Sequence, residues 1–275
     1  MTRKSLLAAL IAAAFTATGA QAQTEIHWWH SMGGALGDKL NELANKFNAS
    51  QTAYKVVPSY KGSYPESMTN AIAAYRAGNA PHILQVFEVG TATMMASKGA
   101  IVPVGKVLAD AGYTFDPSTY IPAVAGYYTA PNGQMLSFPF NSSTTVFYIN
   151  KDAFEKAGLP TDKAPATWPE VFAATKKLKE SGHSCPMTLA WMGWTQLESF
   201  STWHNVEFAT EQNGLSKNGD KARMKVNSPL HVRHFENLAK AAAAGEFVYK
   251  GRGSDAQASF RAGECAMIQT SSGFY

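Results

Sequence analysis

Apolar residues in the first hundred positions fall into short strand-like runs separated by segments with helical spacing. The runs Glu25–Trp29, Tyr54–Tyr60 and Ile83–Phe87 have the length and the β-branched or aromatic content of strands. Between the first two, apolar residues recur every three or four positions, at Leu36, Leu40, Leu43, Ala44 and Phe47. Pro65 opens another helix, which Gly78-Asn79 ends. This alternation predicts a parallel sheet flanked by helices.

A second alternation of the same kind occupies roughly residues 144–270. Strand-like runs cover Thr144–Asn150, Cys185–Leu189 and Cys265–Thr270. Helical patterns lie between them, the longest being Trp168–Ser181 and Pro229–Ala244. The second half therefore predicts another α/β unit. Because the chain stops directly after its last strand, we expect it to be a fragment whose C-terminal part is missing.

The first 22 residues have the features of a secretory signal peptide. Arg3 and Lys4 precede an uncharged apolar run from Leu6 to Phe15, and Ala20-Gln21-Ala22 offers small residues at a cleavage site. Cleavage after Ala22 predicts export to the periplasm. The alternative is an uncleaved membrane anchor, although the run is shorter than the roughly 20 residues that a bilayer requires.

Composition and cysteine content narrow the possible partners. The net charge is +4, of which Arg3 and Lys4 supply two, so the exported chain lacks the basic excess typical of nucleic-acid or membrane binding. A small anionic ligand needs only local complementarity and stays possible. The two cysteines, Cys185 and Cys265, both precede apolar strands that we expect to be sheet neighbours, which favours a disulfide. The alternative is two buried thiols acting as small apolar side chains.

Motifs for catalysis or cofactor binding are weak. The sequence contains neither a G-x-S-x-G elbow nor a P-loop, and Gly251-Arg252-Gly253 lacks the third glycine of a dinucleotide site. His231 and His234 could share one helix face, but without a third ligand we interpret them as an exposed pair, not a metal site. We therefore predict no enzyme activity, no metal and no cofactor.

Signals for ligand binding are better. Tyr64 and Glu88 follow predicted parallel strands, where ligands collect, although Glu88 could equally cap a helix. The run Asn141-Ser142-Ser143-Thr144 offers hydroxyl and amide groups for a phosphate, or is a plain linker. Trp191 belongs to an aromatic cluster that could pack on a polyol, although core tryptophans would give the same pattern.

Several longer strings resemble the extracellular solute-binding proteins of ABC importers, the family that includes maltose-type receptors. They are Tyr148–Leu159 followed by Thr167-Trp168-Pro169-Glu170, Phe260–Met267, and Gly78-Asn79-Ala80-Pro81. A closer likeness, to the glycerol-3-phosphate-binding members, covers essentially all of 25–273. It is carried by Trp29–Met32, Tyr60–Tyr64, Leu84–Lys98, Pro139–Thr144 and Gly193–Glu198.

The resemblance implies an α/β, two-lobed periplasmic-binding-protein fold, each lobe a mostly parallel sheet flanked by helices, with the second half of the fold incomplete. The implied divisions are a signal peptide at 1–22, lobe 1 at 23–141, lobe 2 at 142–270 and, at 271–275, the start of a crossover back to lobe 1. The lobes of such receptors close on their ligand.

Five residues match positions that bind ligand in the glycerol-3-phosphate-binding members. Tyr64 and Glu88 match residues that hold the glycerol hydroxyls, Ser143 and Ser271 match residues that hold the phosphate, and Trp191 matches a tryptophan beside the glycerol. The resemblance thus implies a monomeric receptor that delivers glycerol-3-phosphate or a glycerophosphodiester to ABC permease subunits. The alternatives are a carbohydrate receptor of the same fold and, less favoured, an exported hydrolase.

Overall fold

The computed structural model describes residues 23–87, 90–91, 93–94, 97, 99–130 and 132–274. The predicted signal peptide and Glu88 lie outside these residues. The chain divides into two compact units, which we call unit 1 (residues 1–101) and unit 2 (residues 102–275). The predicted lobe boundary at 141/142 falls inside unit 2, and the limits of the lobes stay a prediction.

In the described residues, unit 1 is a parallel three-stranded sheet with two helices, in line with the predicted alternation of strands and helices. Its elements are β1 (Thr24–His30), α1 (Gly34–Ser50), β2 (Tyr54–Tyr60), α2 (Tyr64–Arg76) and β3 (Ile83–Leu84). The strand order is β2-β1-β3, and β1 and β2 are paired from Thr24–Tyr54 to His30–Tyr60. Helix α2 begins where Pro65 favours a first turn and Glu66 accepts a 2.7 Å hydrogen bond from the Ser63 N–H.

The apolar stripe of α1 is only partly covered. Leu40 and Ala44 are buried, whereas Leu36, Leu43 and Phe47 remain between 45% and 52% exposed. The helix predicted from this spacing is therefore present, but the spacing did not indicate which of its apolar side chains are buried. Burial depends on the layer that packs against a helix, and the pattern of the helix alone does not specify that layer.

Unit 2 contains most of the helices in the described residues. In chain order they are α3 (Val104–Asp110), α4 (Pro122–Tyr127), α5 (Lys151–Lys156), α6 (Trp168–Glu180), a π-helix (Gly193–Glu198), α7 (Ser199–Trp203), α8 (Pro229–Ala243) and α9 (Asp255–Arg261). Short 3₁₀ turns cover Pro117–Thr119, Gly219–Lys221 and Ser272–Phe274. The segment Thr210–Asn213 is a single turn with positive φ at Glu211, Gln212 and Asn213.

The sheet of unit 2 is mixed. It consists of β4 (Thr145–Ile149), β5 (Thr188–Leu189) and β6 (Met267–Ser271) in the order β4-β6-β5. Strand β6 runs parallel to β5 and antiparallel to β4, with Thr145 opposite Ser271. On one face Leu178, Met187 and Leu238 belong to a large apolar core, and on the other face Ile268 lies in a smaller cluster. The central strand is therefore covered on both sides.

A disulfide joins Cys185 to Cys265, as their positions predict. The Cα atoms are 4.6 Å apart, and the two residues precede the paired parallel strands β5 and β6. None of the helices in the described part of the chain combines the length and hydropathy that a bilayer crossing requires.

Candidate functional site

Ser143 and Ser271 come together at the turn that ends β6, which we call the serine turn (Ser143, Thr144 and Ser271–Gly273). The antiparallel pairing of β4 with β6 continues into this turn, where the Ser272 N–H donates to the Thr144 carbonyl at 2.8 Å. The Thr144 N–H in turn donates to Ser272 Oγ at 3.1 Å. The sheet register therefore brings together two segments that are about 130 residues apart in sequence.

The hydroxyls of the serine turn are arranged to donate. Ser271 Oγ accepts the Gly273 N–H at 3.0 Å and Ser272 Oγ accepts the Thr144 N–H, so each hydroxyl keeps its proton for another acceptor. A Cβ atom at Gly273 would lie 3.3 Å from Ser271 Oγ and 3.6 Å from Ser143 Oγ, so both hydroxyls approach its Cα. Convergent hydroxyl donors of this kind suit an anionic oxygen.

A positive charge lies beside the end of the turn. The Arg261 guanidinium stands 4.4 Å from the centre of the Phe274 ring and donates to the Phe274 carbonyl at 3.4 Å. The Tyr148 hydroxyl donates to the carbonyls of Ser271 and Ser272 at 3.5 and 3.4 Å. Side chains thus bond the carbonyls of Ser271, Ser272 and the following Phe274, and the serine hydroxyls remain able to donate to a ligand.

Trp191 occupies a constrained position after β5. Its φ is +54°, a left-handed conformation that a bulky residue adopts only when its surroundings hold it there. The Trp191 N–H donates to the Gly253 carbonyl at 3.4 Å, and its own carbonyl accepts the Thr195 N–H at 2.9 Å. The six-membered part of the indole lies against Gly253, where a Cβ atom would stand 3.4–3.8 Å from three ring carbons.

The half-buried Trp191 packs on an apolar cluster that includes the residue directly after the serine turn. The cluster is formed by Ala190, Ala256, Ile268 and Phe274, and Phe274 follows Gly273. An indole that can cover carbon and a set of hydroxyls that can bind an anion therefore belong to the same part of unit 2.

The other two predicted site residues belong to unit 1. Tyr64 begins α2, is half-buried, and its ring stacks on Phe87 with centroids 5.3 Å apart and planes 5° from parallel. Glu88, which follows Phe87 in the sequence, lies outside the described residues. The roles expected for both residues stay predictions.

The interpretation of His231 and His234 as an exposed pair is wrong. They are 0% and 4% exposed, on the face of α8 that packs into unit 2. The His231 ring lies between Ser201 Oγ at 2.8 Å and Ser228 Oγ at 2.7 Å, and His234 Nε2 lies 3.0 Å from Gln196 Oε1. Polar partners satisfy these rings, which is why the core accepts them.

Burial also changes how His234 titrates. Desolvation, followed by the nearby His204 and His231, lowers its pKa from the usual 6.5 to about 4. The ring is therefore neutral at physiological pH. In the described part of the chain, no group of three or more His, Cys, Asp or Glu residues could hold a metal ion.

The sequence reasoning missed Ser272, Gly273 and Arg261 as parts of the site. The string Ser271-Ser272-Gly273 directly after a strand was a signal for the first two, because small polar residues there commonly form tight turns. Nothing in the local sequence distinguished Arg261, since its position depends on how α9 packs against Phe274.

Several curated relatives share about half of their aligned residues with this chain. It is 50% identical over 275 residues to the sn-glycerol-3-phosphate-binding periplasmic protein UgpB of Brucella suis, an alignment that covers 99% of this chain and 63% of that protein. It is 51% identical over 255 residues to the UgpB protein of Rhizobium meliloti, covering 92% of this chain and 59% of that protein. The chain thus spans about 60% of the length of these relatives.

Solved structures with low sequence identity share the fold. An ABC substrate-binding protein of Listeria monocytogenes in complex with cycloalternan matches with a TM-score of 0.73 and 22% identity, over 90% of this chain and 61% of that one. The GacH receptor of Streptomyces glaucescens matches with a TM-score of 0.73 and 17% identity, over 90% of this chain and 60% of that one. The α/β binding-protein fold predicted from the sequence is therefore confirmed.

The family model described as bacterial extracellular solute-binding protein matches residues 42–275, which is most of the chain and covers part of unit 1 and all of unit 2. Together with the relatives that are about half identical, this match means that the chain belongs to the family of bacterial extracellular solute-binding proteins.

Proposed function

We propose that this protein is the periplasmic receptor of an ABC importer and that it binds sn-glycerol-3-phosphate or a glycerophosphodiester. The observation that carries the proposal is the serine turn, which is followed by a residue of the apolar cluster on which Trp191 packs. Hydroxyl donors with a nearby guanidinium suit a phosphate, and an indole face suits the carbon chain of a small polyol. The names of the half-identical relatives support the same ligand.

Each predicted site residue has a role in this proposal. Ser143 and Ser271 donate hydrogen bonds to phosphate oxygens, and Trp191 covers the glycerol carbons. Tyr64 and Glu88 bind the glycerol hydroxyls, a suitable task for a carboxylate because it only accepts hydrogen bonds. The protein is exported through its signal peptide, acts as a monomer and delivers its ligand to permease subunits. It needs no cofactor and leaves the ligand chemically unchanged.

Calorimetry on the full-length gene product tests the proposal directly. We expect glycerol-3-phosphate to bind with a dissociation constant in the micromolar range or tighter, about −8 kcal/mol. Glycerophosphocholine, inorganic phosphate and maltose are titrated in parallel, and the recovered ligand is analysed for hydrolysis. Binding of maltose in place of glycerol-3-phosphate would favour the carbohydrate receptor, and release of phosphate from the ligand would favour a hydrolase.

A matched pair of tryptophan variants tests the proposed role of Trp191. In Trp191→Ala the glycerol loses an indole face, and we expect ligand binding to weaken by about 1–3 kcal/mol. Trp28 is also partly buried but lies in β1, so Trp28→Ala is the control, with a much smaller expected effect. If the Trp191→Ala protein titrates with the affinity of the parent, Trp191 has only a packing role.

A further inference from the structure

Two glutamine side chains meet in the interior of unit 2. Gln196 lies in the π-helix and Gln269 in β6, and both are 0% exposed. Gln196 Nε2 donates to Gln269 Oε1 and, at 3.0 Å, to Thr195 Oγ1. The pair thus links the central strand of the sheet to the helical segment that follows β5.

His234 extends this pair to a third element. Its Nε2 lies 3.0 Å from Gln196 Oε1, and the Phe200 ring stacks on the imidazole with centroids 3.9 Å apart. Because Gln196 Oε1 can only accept, the proton must be on His234 Nε2. The lowered pKa is in line with this neutral form. Gln196 is therefore fixed through both ends of its amide.

The linked segments are the ones that carry the candidate site. Gln269 lies two residues before Ser271 on β6, and Gln196 lies five residues after Trp191. The backbone reinforces one side, since the Ala190 N–H donates to the Gln269 carbonyl at 3.1 Å. The Thr195 N–H, next to Gln196, bonds the Trp191 carbonyl and helps to hold its left-handed conformation. Trp191 is thus attached to β6 through the residue before it and through the π-helix after it.

Stability alone does not account for this arrangement. Burying amides costs free energy unless every donor is satisfied, and Gln269 Nε2 has no hydrogen-bond partner among the described residues. Apolar side chains of similar size would pack in the same space without that penalty. The amide pair instead adds a directional constraint, because its hydrogen bonds fix the register of the π-helix against β6.

We infer that Gln196 and Gln269 are positioning residues that fix Trp191 relative to the serine turn and so set the length of ligand that the site accepts. The inference rests on the proposed function. It extends that function from residues that touch the ligand to a buried pair that does not. A ligand that uses both the indole and the hydroxyls depends on this spacing, whereas inorganic phosphate, which uses the hydroxyls alone, does not.

The variant Gln269→Met in the full-length gene product separates positioning from folding. It removes the acceptor of the pair together with the unpartnered donor, while Gln196 Nε2 keeps Thr195 Oγ1, so we expect the thermal midpoint to stay within a few degrees of the parent. We expect affinity for glycerol-3-phosphate to fall about tenfold, the loss of one hydrogen bond, with the affinity for inorganic phosphate unchanged.

Thr188→Val is the matched control. Thr188 is also 0% exposed in the same sheet, and its hydroxyl has no hydrogen-bond partner among the described residues, but it lies in β5 outside the network. Its affinities for both ligands should equal those of the parent. Unchanged glycerol-3-phosphate affinity in Gln269→Met, or an equal loss for both ligands, overturns the inference. A parent protein that does not bind glycerol-3-phosphate instead contradicts the proposed function.

Discussion

In the described residues, units 1 and 2 are each built on a three-stranded sheet, but they differ in how fully those sheets are covered. In unit 2 the residues Met267–Thr270 of the central strand are all 0% exposed. In unit 1 the central strand β1 has one buried residue, His30. The buried apolar side chains in the described part of unit 1 are Met32, Leu40, Ala44 and Ala71, whereas unit 2 has more than twenty.

The two units therefore have similar patterns of apolar spacing but bury very different numbers of apolar side chains. Both units have amphipathic helices beside strands, and both predicted α/β layers are present. In unit 2 helices α6 and α8 cover one face and α9 lies on the other, while the stripe of α1 in unit 1 keeps Leu36, Leu43 and Phe47 in solvent. We therefore expect the units to respond to mutation very differently.

The largest expected effect comes from removing the disulfide of unit 2. The bond closes a loop of 80 residues, and its loss in Cys185→Ala/Cys265→Ala should lower the free energy of unfolding of unit 2 by about 4 kcal/mol, mainly through the entropy of the unfolded chain. The change in the free energy of unfolding is measured separately for the two units by hydrogen exchange of amides in β6 and in β1. Equal destabilisation of both units would contradict the expectation that they respond differently to mutation.

Two leucines of α1 that differ in burial test how the covered and uncovered parts of unit 1 contribute to stability. Leu40 is 2% exposed and Leu43 is 46% exposed on the same helix. We expect Leu40→Ala to cost about 2–4 kcal/mol because it leaves a cavity, and Leu43→Ala to cost less than about 1 kcal/mol. Urea unfolding of the two variants gives both values. Similar losses would show that the exposed stripe of α1 is packed in solution.

The last expected effect is a pH dependence of unit 2 that comes from His234. Because the pKa of His234 is lowered to about 4, the unfolded chain binds a proton there between pH 6.5 and 4 and the folded chain does not. This contribution to stability is complete above about pH 6.5 and is lost as the pH falls towards 4, by on the order of 2 kcal/mol.

The variant His234→Gln isolates this contribution. It keeps a donor for Gln196 and removes the titration, so its stability should fall less than that of the parent between pH 7.5 and 4.5. The difference between the two proteins is the relevant quantity, because other groups titrate in both. Parallel pH profiles from chemical unfolding would mean that the pKa of His234 is the same in the folded and unfolded states, which contradicts the lowered pKa.

The elements were predictable where local physics decides them. The strands, the main helices and the disulfide followed from apolar spacing, from proline and glycine positions and from cysteines placed before neighbouring strands. The convergence of Ser143 with Ser271 was not predictable from spacing, since it depends on the antiparallel register of β4 with β6, and only the family resemblance indicated it. Burial of His234 and the π-helix depend on packing between distant segments, which no local pattern records.

The disulfide lies at the end of the unit 2 sheet that is far from the candidate site. Cys185 and Cys265 precede the parallel strands β5 and β6, whereas Trp191 and Ser271 lie at their far ends, so the bond and the candidate site occupy opposite poles of one sheet. We therefore expect loss of the disulfide to lower the yield of folded chains and to leave the geometry of the candidate site in each folded molecule unchanged. A cell with a weakened oxidation system should contain fewer folded copies, each with its candidate site intact.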